Sequence, residues 1–457
     1  MIENIHEREK AIFETLPIPK AVIALAVPTM IGQIITIVYN LADTWFIGLT
    51  NDPAKVASIT ICMPAFMVLT AIANLFGIGG ASLISRSLGV RNRLRAGNAA
   101  SFAVFNCAGI AALYAIVLLI FRRPILSFLG STESDVSYSY TYLFWTVIVG
   151  AVPTVMNSLF GHLVRSEGAS RQAGFGISLG GILNILLDPL FMFYLLPEGN
   201  EVAGAAIATM ISNVIASVYF ILFIHKRRET SVITFRPTVE SYRNGIPGEV
   251  ISVGIPAALM NCLALLSNIT VNNLISVYRS QAILAGMGIA KKINMLVFQM
   301  TQGIAQGVLP LIGYNYAARN FRRMKLSIVT VFGAAFIFSV CSMILAFLYP
   351  NVFISSFIKD HETVMYGVRF IKILSLGVPF TAISYTGVTV FQAIGKKFPA
   401  TLVAVLRKGV VDIPMMFFLS KILPLDGIAW ATPLADFTAS LVTIILFLIT
   451  FRKIWQQ

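Results

Sequence analysis

The chain has 457 residues, 57% of them hydrophobic and only 12% charged, with a formal net charge of +14. Together with a mean hydropathy of +0.82, this composition excludes a soluble globule and describes a polytopic helical membrane protein. The length allows about a dozen spans with short loops and leaves no room for a separate soluble domain.

The opening M-I-E-N-I-H-E-R-E-K is mixed in charge and has no short apolar run before a small-residue cleavage site. No removable signal peptide is expected, and the first span is expected to insert as its own signal. That span, Lys20 to Gly48, has no charge from Ala21 to Ala42 and then meets Asp43. Tyr39 and Asn40, four and three residues earlier, share the helical face of the carboxylate and could hold a proton or a small cation with it. Two readings stand for Asp43. A straight helix from Lys20 rises about 35 Å, which makes the acid an interfacial cap. Tilt, or a bend at Pro28, draws it inward as a functional carboxylate in the outer half of the membrane.

Hydropathy divides the chain into twelve segments, at about residues 20–48, 54–85, 97–121, 136–163, 172–196, 202–225, 249–277, 281–313, 326–349, 364–394, 398–423 and 427–451. With the N-terminus inside, the inner segments carry 22 Lys and Arg residues, from Arg8 and Lys10 to Arg452 and Lys453. The outer loops carry six: Lys55, Arg122, Arg123, Arg279, Lys359 and Lys421. This asymmetry predicts a multi-pass protein of the plasma (inner) membrane with both termini cytoplasmic. It also explains the basic balance, so no nucleic-acid partner is needed. Six basic residues remain inside or at the ends of spans: Lys291, Lys292, Arg369, Lys372, Arg407 and Lys408. Lys408 stands one turn before Asp412 and is expected to neutralise it. The other basic side chains either snorkel or line a wet cavity.

Sliding the chain along itself by half its length brings Pro28 onto Pro256, Asn40 onto Asn268, Ile47 onto Ile275, Gly79 onto Gly307 and Arg91-Asn92 onto Arg319-Asn320. With small slips in that register, Val152-Pro153 meets Val378-Pro379 and Pro189 meets Pro414. Six spans per half is an even number, so the halves enter from the same side. The predicted fold is therefore an all-α integral membrane protein of twelve transmembrane helices, in two parallel six-helix repeats that form two lobes around a central cleft. The lobes are assigned to 1–225 and 249–457, with a cytoplasmic linker at 226–248. Prolines in most spans, among them Pro28, Pro64, Pro189, Pro256, Pro310 and Pro433, read either as hinges or as ordinary tolerance of proline in a membrane. Gly176 and Gly180 have the spacing of tight helix packing.

The fifth segment ends G-I-L-N-I-L-L-D-P, with Asn184 and Asp188 one turn apart on one face. Asp188, like Asp43, has no basic residue on its own helix. Two such acids at similar depth could converge to hold a proton or recruit a cation. In the second half Asp43 maps onto Val271, and Asp188 maps near the paired Asp412, so coupling is expected in the N-terminal half. The four cysteines, Cys62, Cys107, Cys262 and Cys341, lie in apolar stretches and imply neither a disulfide framework nor a metal site. The chain carries no H-E-x-x-H, P-loop, Rossmann or G-x-S-x-G pattern. An enzyme is not expected, and an ion gradient is left as the energy source.

The chain resembles the multidrug and toxic compound extrusion (MATE) transporters over nearly its whole length. The resemblance rests on P-x(10)-Y-N-L-A-D-T-W-F-I-G at Pro28 to Gly48, R-S-E-G-A-S from Arg165, N-I-L-L-D-P from Asn184 and G-A-A-I-A-T from Gly204. In the second half it rests on G-I-A-Q-G-V-L-P-L-I-G-Y-N-Y from Gly303, F-Q-A-I-G-K-K from Phe391 and G-I-A-W-A-T-P-L-A-D from Gly427. The first-span acid is similar to the branch related to DNA-damage-inducible members. The resemblance implies a V-shaped pair of lobes that exports cationic or amphipathic small molecules in exchange for H+ or Na+, with no other cofactor. In that branch a first-span Asp, a fifth-span Asn and Asp and a sixth-span Thr carry coupling, which implies Asp43, Asn184, Asp188 and Thr209 here, with Na+ as a possible occupant. Tyr39 and Asn157 are expected as further lobe lining, Pro28 as a hinge, and a monomer as the working unit. The alternative is a lipid-linked saccharide flippase of the same superfamily, which would want a cleft rich in Arg and Lys for pyrophosphate. A channel or a membrane enzyme would show uncoupled ion flow or clustered catalytic side chains.

Overall fold

A computed structural model describes residues 9–133 and 135–452; His6, Arg8 and Lys453, used in the sequence reading, lie outside the described residues. Among the described residues every regular element is helical. The spans are numbered α1 to α12. Nine are single apolar helices: α1 Ile18–Gly48, α2 Pro53–Gly89, α3 Arg93–Ile120, α5 Ser170–Leu195, α6 Glu201–Lys226, α7 Ile246–Ser276, α8 Gln281–Ala317, α9 Phe321–Leu348 and α12 Pro424–Arg452. Two are bent: α4 runs Val136–Val149 and then Ala151–Ser166 at 51°, and α10 runs His361–Leu376 and then Val378–Ala393 at 44°. The last, α11, continues from Lys397–Val405 through a π-helical turn, Leu406–Val410, into Asp412–Ile422. Each hydropathy segment meets one of these spans.

The breaks explain what the prolines do. Pro153, Pro379 and Pro414 lie in the first turn after a break, where the missing N–H has no partner to lose. Pro28, Pro64, Pro256, Pro310 and Pro433 are instead carried inside uninterrupted helices. Repeat symmetry also reaches the turns. Asn51 and Arg279, which the internal repeat places on one another, both have positive φ (53° and 51°), as do Arg91 and Arg319 (56° each). Each turn is followed by a side-chain cap: Asp52 accepts from the Ala54 N–H, Ser280 from Ile283, Asn92 from Arg95 and Asn320 from Arg323. Two positions that lack a glycine thus keep the left-handed conformation in both halves.

Outward surfaces carry Ile120, Leu348 and Ile449, each about two-thirds exposed, as suits hydrocarbon rather than water. Between the lobes, the starts of α1 and α7 meet the ends of α8 and α2 on the side of the termini. A Cβ on Gly254 would lie 1.8 Å from the Leu75 carbonyl oxygen, and one on Gly79 would lie 2.0 Å from that of Val250, so α2 and α7 touch backbone to backbone. Gly307, the repeat mate of Gly79, sits in the same way on Leu25 and Ala26 of α1. The Gln392 amide of α10 donates to the Val253 carbonyl while the Gln392 carbonyl accepts from the Ser82 hydroxyl of α2, at 3.0 and 2.5 Å. At the other end of these four helices Val38, Leu266, Ile269 and Met295 are exposed. The lobes are therefore closed against one another on the side of the termini.

A short helix at residues 9–14 straps the closed side. The Arg323 guanidinium donates to the carbonyls of Ile12, Phe13 and Leu16, and the Tyr314 hydroxyl donates to Glu14 at 2.6 Å. On the other lobe Arg227 donates to both carboxylate oxygens of Glu9, one of them at 2.8 Å. Beyond it the linker runs along the N-terminal lobe: Arg93 donates to the Thr230 carbonyl and Thr238 to Asn98.

Candidate functional site

Helix α5 has two working faces, written in its spacing. Gly174, Gly181 and Asp188 recur every seven residues. A Cβ on Gly174 would meet the Pro28 carbonyl at 2.5 Å, and one on Gly181 would meet Ile35 at 2.6 Å and the Tyr39 ring at 3.1 Å. Gly176, Gly180 and Asn184 recur every four and face α6, against Phe220 and Ala216. The glycines let α5 lie close to both neighbours, as their spacing predicts. Continuing each row one step delivers Asp188 to α1 and Asn184 to α6.

There the side chains meet. The Asn184 amide donates to Asp188 Oδ1 at 3.0 Å and to the Thr209 hydroxyl of α6 at 3.1 Å. The Tyr142 hydroxyl of α4 donates to Asp43 Oδ2 at 2.9 Å. Asp43 is only 6% exposed and Asp188 fully enclosed, so Asp43 is buried within the lobe and is not an exposed cap. The two carboxylates act on one another electrostatically, and both act on Tyr39 and Tyr142. The nearest outer cation, Lys55, is taken by Glu201 at 2.7 Å. Asp43 Oδ1, Asp188 Oδ2 and Asn184 Oδ1 are buried and have no hydrogen-bond donor. Buried polar atoms are normally satisfied, so three orphaned acceptors in one place describe a seat for a proton or a hard monovalent cation.

Other expected residues fall at different distances from this seat. Asn157 donates to Asn213 Oδ1 at 3.0 Å, and Asn213 donates to the backbone carbonyl of Thr209, so Asn157 meets α6 one turn from Thr209 without touching its hydroxyl. Asn40 gives its amide to the Thr36 carbonyl of its own helix at 2.6 Å, rather than to Asp43. Tyr142 and Asn213 were missed by the sequence reading. Asn213 stands four residues after Thr209 on the same face of α6, a signal that could have found it. Tyr142 is one of three tyrosines in Y-S-Y-T-Y-L-F-W, and nothing in that string marks it out.

The second lobe supplies an internal comparison. A shift of 224 residues brings Asn184 onto Lys408 and Asp188 onto Asp412, and one of 223 brings Thr209 onto Thr432. Asp412 accepts from the Ser267 hydroxyl at 2.7 Å and the Thr432 hydroxyl at 3.0 Å, and Lys408 lies 3.5 Å away. Val271 occupies the place of Asp43 and is buried. The C-terminal counterpart thus carries its own ammonium where the N-terminal one has an amide and unsatisfied oxygens. Two basic residues left open by the sequence also close on acids: Arg407 on Asp436 at 2.6 Å, deeply buried, and Arg369 on Asp426.

The MatE family profile matches residues 28–190 and 256–418, two copies that start on Pro28 and Pro256 and so share the register of the internal repeat. Multidrug export protein MepA of Staphylococcus haemolyticus is 29% identical over 426 residues, 93% of this chain and 92% of that protein. MepA of Staphylococcus saprophyticus is 29% identical over 439 residues, 95% and 94% of the two chains. Among solved structures, a MATE protein in the straight conformation superposes with a TM-score of 0.90 at 22% identity, covering 98% and 99%. An outward-facing multidrug resistance MATE family transporter of the MOP superfamily gives 0.89 at 22% identity, covering 96% and 97%.

Proposed function

The chain belongs to the MATE family, and from that premise we propose that it is a multidrug efflux antiporter whose coupling seat is formed by Asp43, Asn184, Asp188 and Thr209. The single observation that carries the reading is the set of three buried oxygens without donors at the meeting of α1 and α5, which no Lys or Arg among the described residues contacts. An inward-moving H+ or Na+ satisfies those oxygens. A cationic or amphipathic cargo competes for the same negative charge, so ion and cargo exclude one another. Tyr142 orients Asp43, and Asn157 with Asn213 steadies Thr209.

Alternating access follows from the V. The present form is closed on the side of the termini, which the charge asymmetry assigns to the cytoplasm of a plasma-membrane protein, and the lobes rock to open it. Pro28 faces Gly174 at the closest approach of α1 to α5, where a change of curvature in α1 would carry Asp43 with it; this supports its role as a hinge. The lobes, 1–225 and 249–457, work within one chain as a monomer. Of the basic residues that favour the flippase alternative, Arg369 and Arg407 are tied to acids, which removes two of five; Lys291, Lys292 and Lys372 keep that reading as the alternative. The test is efflux of a cationic dye from proteoliposomes with a proton gradient or a sodium gradient imposed separately. Efflux driven by one of them supports antiport; equal leakage with neither gradient overturns it.

A further inference from the structure

The strap at residues 9–14 grips both lobes, and it grips them unequally. Its hold on the C-terminal lobe is broad. Arg323 of α9 donates to the carbonyls of Ile12, Phe13 and Leu16, and Asn315 of α8 adds a second donor to the Phe13 carbonyl at 3.2 Å. The Phe13 ring stacks on Tyr314 with centroids 5.0 Å apart, and the Tyr314 hydroxyl holds Glu14. On the N-terminal lobe the polar hold is a single ion pair, in which the Arg227 guanidinium donates to both carboxylate oxygens of Glu9. Both side chains are buried.

The surface that receives Glu9 is a notch in the turn between α4 and α5. Gly168 there has a φ of +93°, and a Cβ on it would meet the Phe13 ring at 3.0 Å and the Glu9 carbonyl oxygen at 3.3 Å. Conformation and close approach both call for glycine. Glu167 beside it accepts from the Ser231 hydroxyl at 2.9 Å and pins the chain that follows Arg227. These contacts use the E-G of the R-S-E-G-A-S stretch, of which the coupling seat uses nothing. Breaking a buried ion pair normally strands a charge. Here Glu9 would leave with the strap into water, while Arg227 keeps the field of Glu167 and the face of Phe223, 5.3 Å away. The pair can hold, and it can let go.

We propose that residues 9–16 are an intramolecular latch: carried by the C-terminal lobe, they engage Arg227 and Gly168 of the N-terminal lobe and hold the cleft shut on the side of the termini until Glu9 leaves Arg227. Opening on that side parts α8 and α9 from the α4–α5 turn and the end of α6, so one of the strap's two holds must give. The narrower one is Glu9 on Arg227. Losing it favours the form open on the side of the termini. This rests on the rocking of the lobes proposed above and adds to it the contact that is released.

The test uses the full chain in nanodiscs, without its native cysteines and with a Ser85→Cys reporter. Ser85 is fully buried near the inner end of α2, and a Cβ on Gly313 of α8 would lie 3.5 Å from it. Glu9→Gln and Arg227→Gln should each raise the rate of maleimide labelling about tenfold, the effect of losing one charge-assisted contact. Unchanged thermal midpoints report that the variants are folded. A second experiment does not depend on weakening the fold. A cleavable bis-methanethiosulfonate bridge between Glu9→Cys and Arg227→Cys, formed before reconstitution into proteoliposomes, should stop gradient-driven dye efflux, and reduction should restore it. Labelling that stays at the wild-type rate in both folded variants, or efflux that continues through the bridged chain, overturns the latch while leaving the antiport reading intact. A wild type that moves no dye under either gradient overturns the export reading alone, because labelling judges the latch without transport.

Discussion

Replacing Asp43 by asparagine separates the ion seat from the scaffold that holds it. Shape is kept, and the Tyr142 hydroxyl, now 2.9 Å from Asp43 Oδ2, can donate to the amide oxygen instead. Stability should change by about 1 kcal/mol or less, the net value of one neutral hydrogen bond. Coupling should be lost. In one-for-one exchange a gradient of two pH units supplies about 2.7 kcal/mol, enough to sustain a cargo ratio of about 100. An amide takes up no proton at these pH values and offers no negative charge, so that ratio should collapse toward one. The assay is steady-state dye distribution in proteoliposomes, with the protein checked for a single gel-filtration peak and an unchanged thermal midpoint. A folded Asp43→Asn variant that still holds a hundredfold ratio would refute the reasoning.

Further outcomes follow from the same geometry. Tyr142→Phe removes the donor that fixes Asp43 and should lower coupled efflux about tenfold, the equivalent of about 1.4 kcal/mol, with expression unchanged; wild-type rates would rule out a positioning role. Gly254→Ala forces a methyl to 1.8 Å from the Leu75 carbonyl, and separating the helices should cost about 1–3 kcal/mol. Labelling of a Ser85→Cys reporter, in a background without the native cysteines, should then rise at least several-fold from the side of the termini; no increase would place the closed contact elsewhere. Lys408→Met leaves the fully buried Asp412 without its ion-pair partner, for a loss of up to about 3–5 kcal/mol. The double variant Lys408→Met/Asp412→Asn should recover most of the thermal midpoint, and failure to recover would mean that Lys408 matters for packing and not for charge.

What could be read from sequence, and what could not, divides along physical lines. Asp43 and Asp188 stand out because a carboxylate in a long apolar run is expensive wherever it ends up. Asn184 and Lys408 follow from one turn of helix, and the repeat follows from a shared register that also governs the turns at Asn51 and Arg279. Closure of Arg407 on Asp436 was hidden, because 29 residues and a change of span separate them and no periodicity connects two helices. Tyr142 was hidden for the same reason. Proline was ambiguous because its effect depends on where a break already exists: at Pro153 and Pro379 the helix parts, while at Pro64 and Pro310 neighbouring helices hold it together.

The ammonium of Lys408 is covalently fixed beside Asp412, so on the coupling proposed above the C-terminal half brings a permanent counter-charge to every turnover, and only its partner half exchanges one. The traffic per cycle is thereby limited to two monovalent ions, one for each acid of the N-terminal half. In the absence of a membrane voltage, uphill accumulation of an uncharged cargo can reach at most the square of the driving ion's concentration ratio. A duplicated chain with two equivalent seats would double that exponent.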